Sequence, residues 1–250
     1  MGMGTATVMR QLAAETLGVP VERVRFIYGD TTLPQAPISA GSMTVASVGS
    51  AVFGAGKALK EKLAGIAGVD AASLNGDQYG PLLAQHYLDK VDAQFDARPD
   101  PGEETYSANA FGTHFAEVTV DPDLGLVRVT RIVSAFAAGR VLNAKTARSQ
   151  FHGGIVQGIG AALLEQTRFD TRLGTFTNVN FAEYLCPVHA DVRAIEVILV
   201  PEEDKNVNPI GAKGLGEICI VGVTPAIANA VYHATGKRVR DLPITLEKLL

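Results

Sequence analysis

Between Lys145 and Gln166 the chain keeps the apolar spacing of a helix yet carries Gly153, Gly154, Gly158 and Gly160. Each glycine inside a helix costs about 1 kcal/mol relative to alanine. A helix that keeps such a set must have a neighbour packed too close for a Cβ. It is expected to be one of two long helices, the other being the Ala- and Val-rich stretch from about Met43 to Ala67.

Shorter elements follow from the same reading. Thr5 to Leu17 has helical spacing, with Thr5 as N-cap and Gly18 and Pro20 as the stop. Val24, Phe26 and Tyr28 alternate with Arg25 and Ile27, which predicts a strand, and residues 29–37 predict a turn-rich loop. His114 to Val120 and Leu126 to Ser134, joined by Asp121 to Gly125, read as a hairpin. A second hairpin is expected over Phe169 to Phe176 and a strand over Ala194 to Val200. The polar, proline-bearing stretch 92–108 is the best boundary. It separates one αβ unit at 1–91 from a second at 109–250.

At 250 residues, 47% hydrophobic and 19% charged, the chain has the length and composition of a soluble globular protein of one large or two small domains. Its net charge of −4 gives no basic footprint, which argues against a nucleic-acid partner. No apolar run is expected to reach membrane-spanning length, so no membrane partner is expected either. Cys186 and Cys219 have neither metal-ligand nor disulfide-framework spacing, and the histidines at 86, 114, 152, 189 and 233 are scattered. Any metal must be held by something other than His and Cys side chains. A cytoplasmic location is the default; export alongside a signal-bearing partner would make it periplasmic.

Residues 211–217, Gly-Ala-Lys-Gly-Leu-Gly-Glu, carry the densest signal for chemistry. Glycines there free the backbone to approach a ligand, Lys213 adds positive charge, and Glu217 leads into an apolar helical run from Ile218 to Ala234. A carboxylate at that place can be a general base beside an anion-binding nest. It can equally be an acid favouring the helix dipole by roughly 0.3–1 kcal/mol. The glycine order is wrong for a dinucleotide fingerprint, and Gly54-Ala55-Gly56-Lys57-Ala58 lacks the spacing of a phosphate-binding P-loop.

The heptapeptide, together with Pro225 to Ala230 and Ala234 to Arg238, resembles the C-terminal end of the xanthine dehydrogenase / aldehyde oxidase family, within its large molybdenum-cofactor-binding part. The likeness recurs in the family's order at Met1 to Thr5, Ala13 to Gly18, Gly29 to Thr31, Ala40 to Ser42, Gly139 to Asn143, Gln150 to Gly160 and Leu242 to Thr245. Met3 stands where the family often has Gln, and Ala138 where many members have Asp. The form Phe136-Ala137-Ala138-Gly139-Arg140 is closer to bacterial aldehyde oxidoreductases with separate subunits.

The resemblance implies an α+β fold of layered αβ repeats, with the two long helices packed on mixed sheets. It implies a molybdopterin cofactor, in a bacterial member the cytosine dinucleotide form, whose dithiolene sulfurs hold the metal so that no side chain need ligate it. Gly2, Gly4 and Thr5 match a first cofactor loop; Ala40, Gly41, Ser42 and Thr44 match a second. Gln150 matches the glutamine near the metal, and Lys213, Gly214 and Gly216 complete the cofactor set. Glu217 matches the general base, which would need enough burial to accept a proton as water-derived oxygen adds to an aldehyde or N-heterocycle carbon. Electrons would leave through 2Fe-2S and FAD groups on partner subunits or domains. The beginning of the chain inside a cofactor loop suggests a C-terminal piece, with the upstream half of the subunit as its first partner. The alternative is a noncatalytic fragment that keeps the fold as an assembly or interaction piece.

Overall fold

Residues 2–98 and 106–250 are described by the structure, a computed structural model. Met1, in the first matched loop, and 99–105, inside the expected 92–108 boundary, lie outside the described residues. The chain forms two compact units from interleaved segments. Unit 1 comprises residues up to Asn109 with 139–146 and 202–214; unit 2 comprises 110–138, 147–201 and 215–250. The contiguous division at 92–108 expected from composition therefore differs from the contact-defined one, because two later excursions return to unit 1.

Unit 1 is helical in its described residues. The first helix, α1 (Thr5–Leu17), starts behind Gly4, which sits left-handed at φ 89° and is the N-cap in place of the expected Thr5. Gly18, at φ 65°, closes it by donating its N–H to the carbonyls of Ala14 and Glu15. No strand forms over 24–28. The segment is extended at Val24, but the Arg10 guanidinium takes the carbonyls of Val21 and Val24 at 3.0 and 2.9 Å. Alternation alone made no ladder because no strand partner lies beside it among the described residues.

The second helix, α2 (Thr44–Ala67), packs on α1. Gly49 and Gly56 lie two turns apart on α2, where Cβ atoms would fall 2.8 Å from Ile210 and 2.7 Å from Thr16. The Gly54-to-Ala58 stretch is inside this helix rather than in a phosphate loop. A third helix, α3 (Gly76–Gln85), was not expected from sequence; its capping box joins Asn75 and Gln78. Leu63, Leu74 and Leu82 bury together beneath it.

Unit 2 is built on a mixed sheet. Strands β1 (Phe111–Val120) and β2 (Val127–Ala137) form the expected hairpin. Asp121 Oδ1 accepts the N–H groups of Asp123 and Leu124 in its turn. The register skips Thr130, whose hydroxyl meets the Glu117 carbonyl at 3.1 Å and carboxylate at 2.6 Å. That bulge moves the buried face from Val129 to Ile132, Ser134 and Phe136. The helix α4 (Ala144–Leu163) follows, then the expected small ribbon β3 (Phe169–Asp170) and β4 (Thr175–Phe176). The strand β5 (Ala194–Leu199) returns parallel to β2, giving the order β1-β2-β5. The α+β expectation holds, with α4 on the sheet side through Phe151 stacked on Phe136 at 4.2 Å. By contrast, α2 packs on a helix.

The last helices are α5 (Ile218–Val221) and α6 (Val223–Thr235), separated at Gly222. The stretch Ile218–Thr235 is 18 residues with mean hydropathy 1.4, so on length and composition it is long enough to cross a membrane, contrary to the sequence expectation. It folds here as two helices with a one-sided buried stripe of Val223, Ile227 and Val231, and α6 packs on β1.

Candidate functional site

Two of the α4 glycines, Gly154 and Gly158, meet close neighbours in unit 2, whereas Gly153 is exposed with nothing within 4 Å of a Cβ, so the close neighbour expected from the set does not extend to it. A Cβ on Gly154 would lie 2.2 Å from Cys219 Sγ, and one on Gly158 would lie 2.6 Å from Val223 Cβ. These positions are one turn apart on both partners, so the notches of α4 receive the successive knobs of α5 and α6. The Cys219 thiol donates to the carbonyls of Gln150 at 3.4 Å and Gly216 at 3.3 Å, and Thr224 donates to the Gly158 carbonyl at 3.2 Å. Gln150, Gly216 and Glu217 are thereby held near one another through Cys219, two residues past Glu217. Burial pushes the Cys219 thiol up from its usual range, so it acts as a neutral donor. Glu217 is the N-cap residue of α5, without a side-chain cap bond. It is exposed, so the burial expected for a base is not supplied by the described residues of its unit.

In unit 1 the glycine loops meet polar side chains. A Cβ on Gly4 would lie 2.8 Å from Thr146 Cγ2. Thr146 is fixed by Asn143, whose Oδ1 accepts its N–H at 2.9 Å, and Asn143 in turn donates to Gln11 at 2.8 Å. Thr5 is the first residue of α1, half-buried, and Gly2 is exposed with open space around it. Arg140 reaches both oxygens of Glu15 at 2.6 and 2.7 Å, tying 139–143 to α1.

The second loop is more unusual. Gly41 and Ser42 are successive left-handed residues, at φ 62° and 57°. A side chain in that region is uncommon and strained. Ser42 Oγ is shielded from solvent and has no hydrogen-bond partner among the described residues. Leaving such a hydroxyl unmet costs about 1–3 kcal/mol. Gly214 lies opposite, where a Cβ would come 3.0 Å from Ser42 Cβ, so the structure brings Ser42 and Gly214 together. Ala40 is exposed and accepts the Met43 N–H at 3.4 Å; Thr44 donates to Ser39 at 3.3 Å.

Lys213 has a different task from the one its charge suggested. Its ammonium donates to Glu202 at 2.6 Å, to Asp204 at 2.9 Å and to the Asn109 carbonyl at 3.1 Å. All three protons are used, so the side chain is a strut, and any contact from Lys213 to an anion falls to its backbone. The hydrogen bonds to Glu202 and Asp204 hold the ammonium above its usual range, and Lys213 holds both carboxyls below theirs. Glu202 also takes the Gly139 N–H at 2.7 Å. Gly139 and Gly211 are both left-handed, and a Cβ on Gly139 would strike the Gly211 carbonyl at 2.3 Å. The acidic run Glu202-Glu203-Asp204, seven residues before the heptapeptide, was the available signal for this strut. Among the heptapeptide glycines, the positive φ belongs to Gly211.

Residues 1–193 match the family described as the molybdopterin cofactor-binding domain. The chain belongs to that family. It is 42% identical over 258 residues to the aldehyde oxidoreductase molybdenum-binding subunit PaoC of Escherichia coli, covering all of this chain and 35% of that protein. It is 33% identical to the putative xanthine dehydrogenase molybdenum-binding subunit XdhA of the same organism, covering 36% of it. The solved structure of the aldehyde oxidoreductase from Desulfovibrio gigas matches with a TM-score of 0.81 at 25% identity, covering the whole chain and 28% of its counterpart. The chain thus spans about a third of the length of the curated relatives it matches. The xanthine dehydrogenase / aldehyde oxidase resemblance and the α+β fold are borne out.

A molybdopterin cofactor-binding domain must hold a large polar anion, and the residues of unit 1 fit one. The orphaned Ser42 hydroxyl is a donor awaiting an acceptor, in a left-handed turn kept open by Gly214. Among the described residues, no group of three or more His, Cys, Asp or Glu side chains is placed to hold a metal ion.

Proposed function

We propose that this chain is the cofactor-holding, base-bearing part of a molybdenum-dependent oxidoreductase that hydroxylates aldehydes or N-heterocycles with water as oxygen source. The observation that carries the reading is the shielded, unpartnered Ser42 hydroxyl facing Gly214 in a chain of this family. Backbone N–H groups of the loops around Gly2, Gly4, Thr5, Ala40, Gly41 and Thr44 would bind the pterin and its phosphates, with Ser42 donating from its side chain. The cytosine dinucleotide form of the cofactor suits a bacterial member and extends the anion by a second phosphate.

When bound, the molybdenum–pterin group supplies the two-electron acceptor for the substrate carbon. Glu217 takes the proton released as water-derived oxygen adds to that carbon, and Gln150, tied to the same turn through Cys219, stands as the polar neighbour of the reacting group. 2Fe-2S and FAD groups on partner subunits or domains would take up the electrons. The names of the E. coli relatives, one an aldehyde oxidoreductase subunit, support the substrate class.

The test is Glu217→Gln in the chain assembled with the rest of its molybdenum subunit. Turnover should fall about 10²–10⁴-fold, the range for loss of a general base, with molybdenum and pterin content unchanged. Wild-type kcat in that variant refutes the base role.

A further inference from the structure

α5 is one turn of four residues that begins directly after Glu217. A single turn has no ladder of its own to fix its direction, so its seat must come from side contacts. On one side the seat is the pair of α4 notches that receive Cys219 and Val223. On the other side Gly222, the residue joining α5 to α6, lies against the ring of His114 on β1 at its Cδ2 atom. A Cβ there would come 2.3 Å from His114 Cδ2 and 3.0 Å from Nε2.

That ring is pinned. His114 Nδ1 shares a 2.7 Å hydrogen bond with the Oγ of Ser134, its partner across the β1–β2 ladder, and Ser134 is fully buried. Its edge meets Phe136 at 5.3 Å and 73°, and Phe136 is stacked in turn on Phe151. The sheet therefore presents a fixed wedge where the helix pair changes direction. A larger residue at 222 cannot be absorbed by swinging the ring away, so α5 itself would move.

We propose that His114 is a positioning residue: its pinned ring, acting through Gly222, sets how the α5 turn leaves α6 and so where Glu217 stands. This rests on the reading of Glu217 as the base. Misplacing a catalytic group by about 1 Å can cost on the order of 10²-fold in rate.

The experiment compares kcat, KM and molybdenum content in the assembled subunit for Gly222→Ala, His114→Ala, the double variant and Glu217→Gln. Gly222→Ala should lower kcat tenfold or more with KM and metal content within twofold of wild type. Adding His114→Ala should raise kcat at least threefold above Gly222→Ala, because the atoms the methyl strikes are gone. A purely structural role would instead lower metal content and yield together, without that rescue. Wild-type kcat in Gly222→Ala, or a loss that His114→Ala does not relieve, overturns the proposal while Glu217→Gln stays inactive. If Gly222→Ala does not fold, His114→Ala alone decides: reduced kcat at unchanged KM and metal supports the wedge, and wild-type kcat sinks it. Wild-type kcat in Glu217→Gln removes the base reading and the proposal with it.

Discussion

Gly153 and Gly154 are neighbours in α4, yet alanine at the two positions should shift stability in opposite directions. Position 153 is exposed, with nothing within 4 Å of a Cβ. Alanine there gains the helix propensity difference of about 0.8–1.0 kcal/mol and meets no atom. At position 154 the same gain is offered, but the new methyl would stand 2.2 Å from Cys219 Sγ and 3.0 Å from its Cβ. Comfortable contact needs about 3.5 Å, so the helices must part by roughly an ångström in a place where Val223 locks into Gly158 one turn on. Overpacking of this kind costs about 1–3 kcal/mol, and loss of the thiol bond to Gln150 adds to it. The steric cost wins, and the two variants should differ by about 2–4 kcal/mol. With a urea m-value of about 2–3 kcal/mol/M, their midpoints should lie about 1 M apart, on either side of wild type, when unfolding is followed by far-UV circular dichroism. Cys219→Ala should relieve most of the Gly154→Ala penalty. Equal shifts in the same direction for both variants would refute the notch geometry.

Lys213→Met should cost more than Glu202→Gln, about 3–5 against about 1–3 kcal/mol, because it leaves two partly buried carboxylates facing each other without their cation. Thermal unfolding of the two variants checks the order, and the reverse order contradicts the strut. Since Lys213 depresses Glu202 and Asp204 below their ordinary 4.5 and 3.8, their contribution is complete above those values and is lost as pH falls through the lower folded ones. Burial depresses His114 below its usual 6.5. The unfolded chain then takes the proton first, so stability should decline as pH drops from about 6.5 toward the folded value. Urea midpoints measured across that window should flatten in His114→Asn; an unchanged slope would remove His114 as the cause.

Local signals made the hairpins legible, since Asp121 to Gly125 and Leu173-Gly174 are turn chemistry that acts within a few residues. Gly154 and Gly158 were legible as a demand for a close neighbour, although its identity, Cys219 and Val223, was not, and the same reading misjudged Gly153, which faces open space. Val24 to Tyr28 failed because alternation specifies a face and not a partner, and the Arg10 side chain took the carbonyls instead. The third helix is not legible in the sequence because Gly80 and Pro81 dilute its propensity, while its stability comes from the Asn75–Gln78 capping box and from the packing of Leu74 and Leu82. Lys213 looked like an anion contact because its carboxylates lie eleven and nine positions earlier in sequence. Ser42 and Gly214 were visible as separate loops, and their apposition needed the fold.

We propose that these loops hold a molybdenum–pterin anion. The most direct measurement is molybdenum by elemental analysis with pterin fluorescence, on this chain assembled with the rest of its subunit in a host that makes the cofactor, for wild type and Ser42→Ala. Wild type should carry close to one metal and one pterin per chain, and Ser42→Ala should retain less of both after dilution. A folded wild-type assembly carrying neither would contradict the proposal and leave the chain a scaffold.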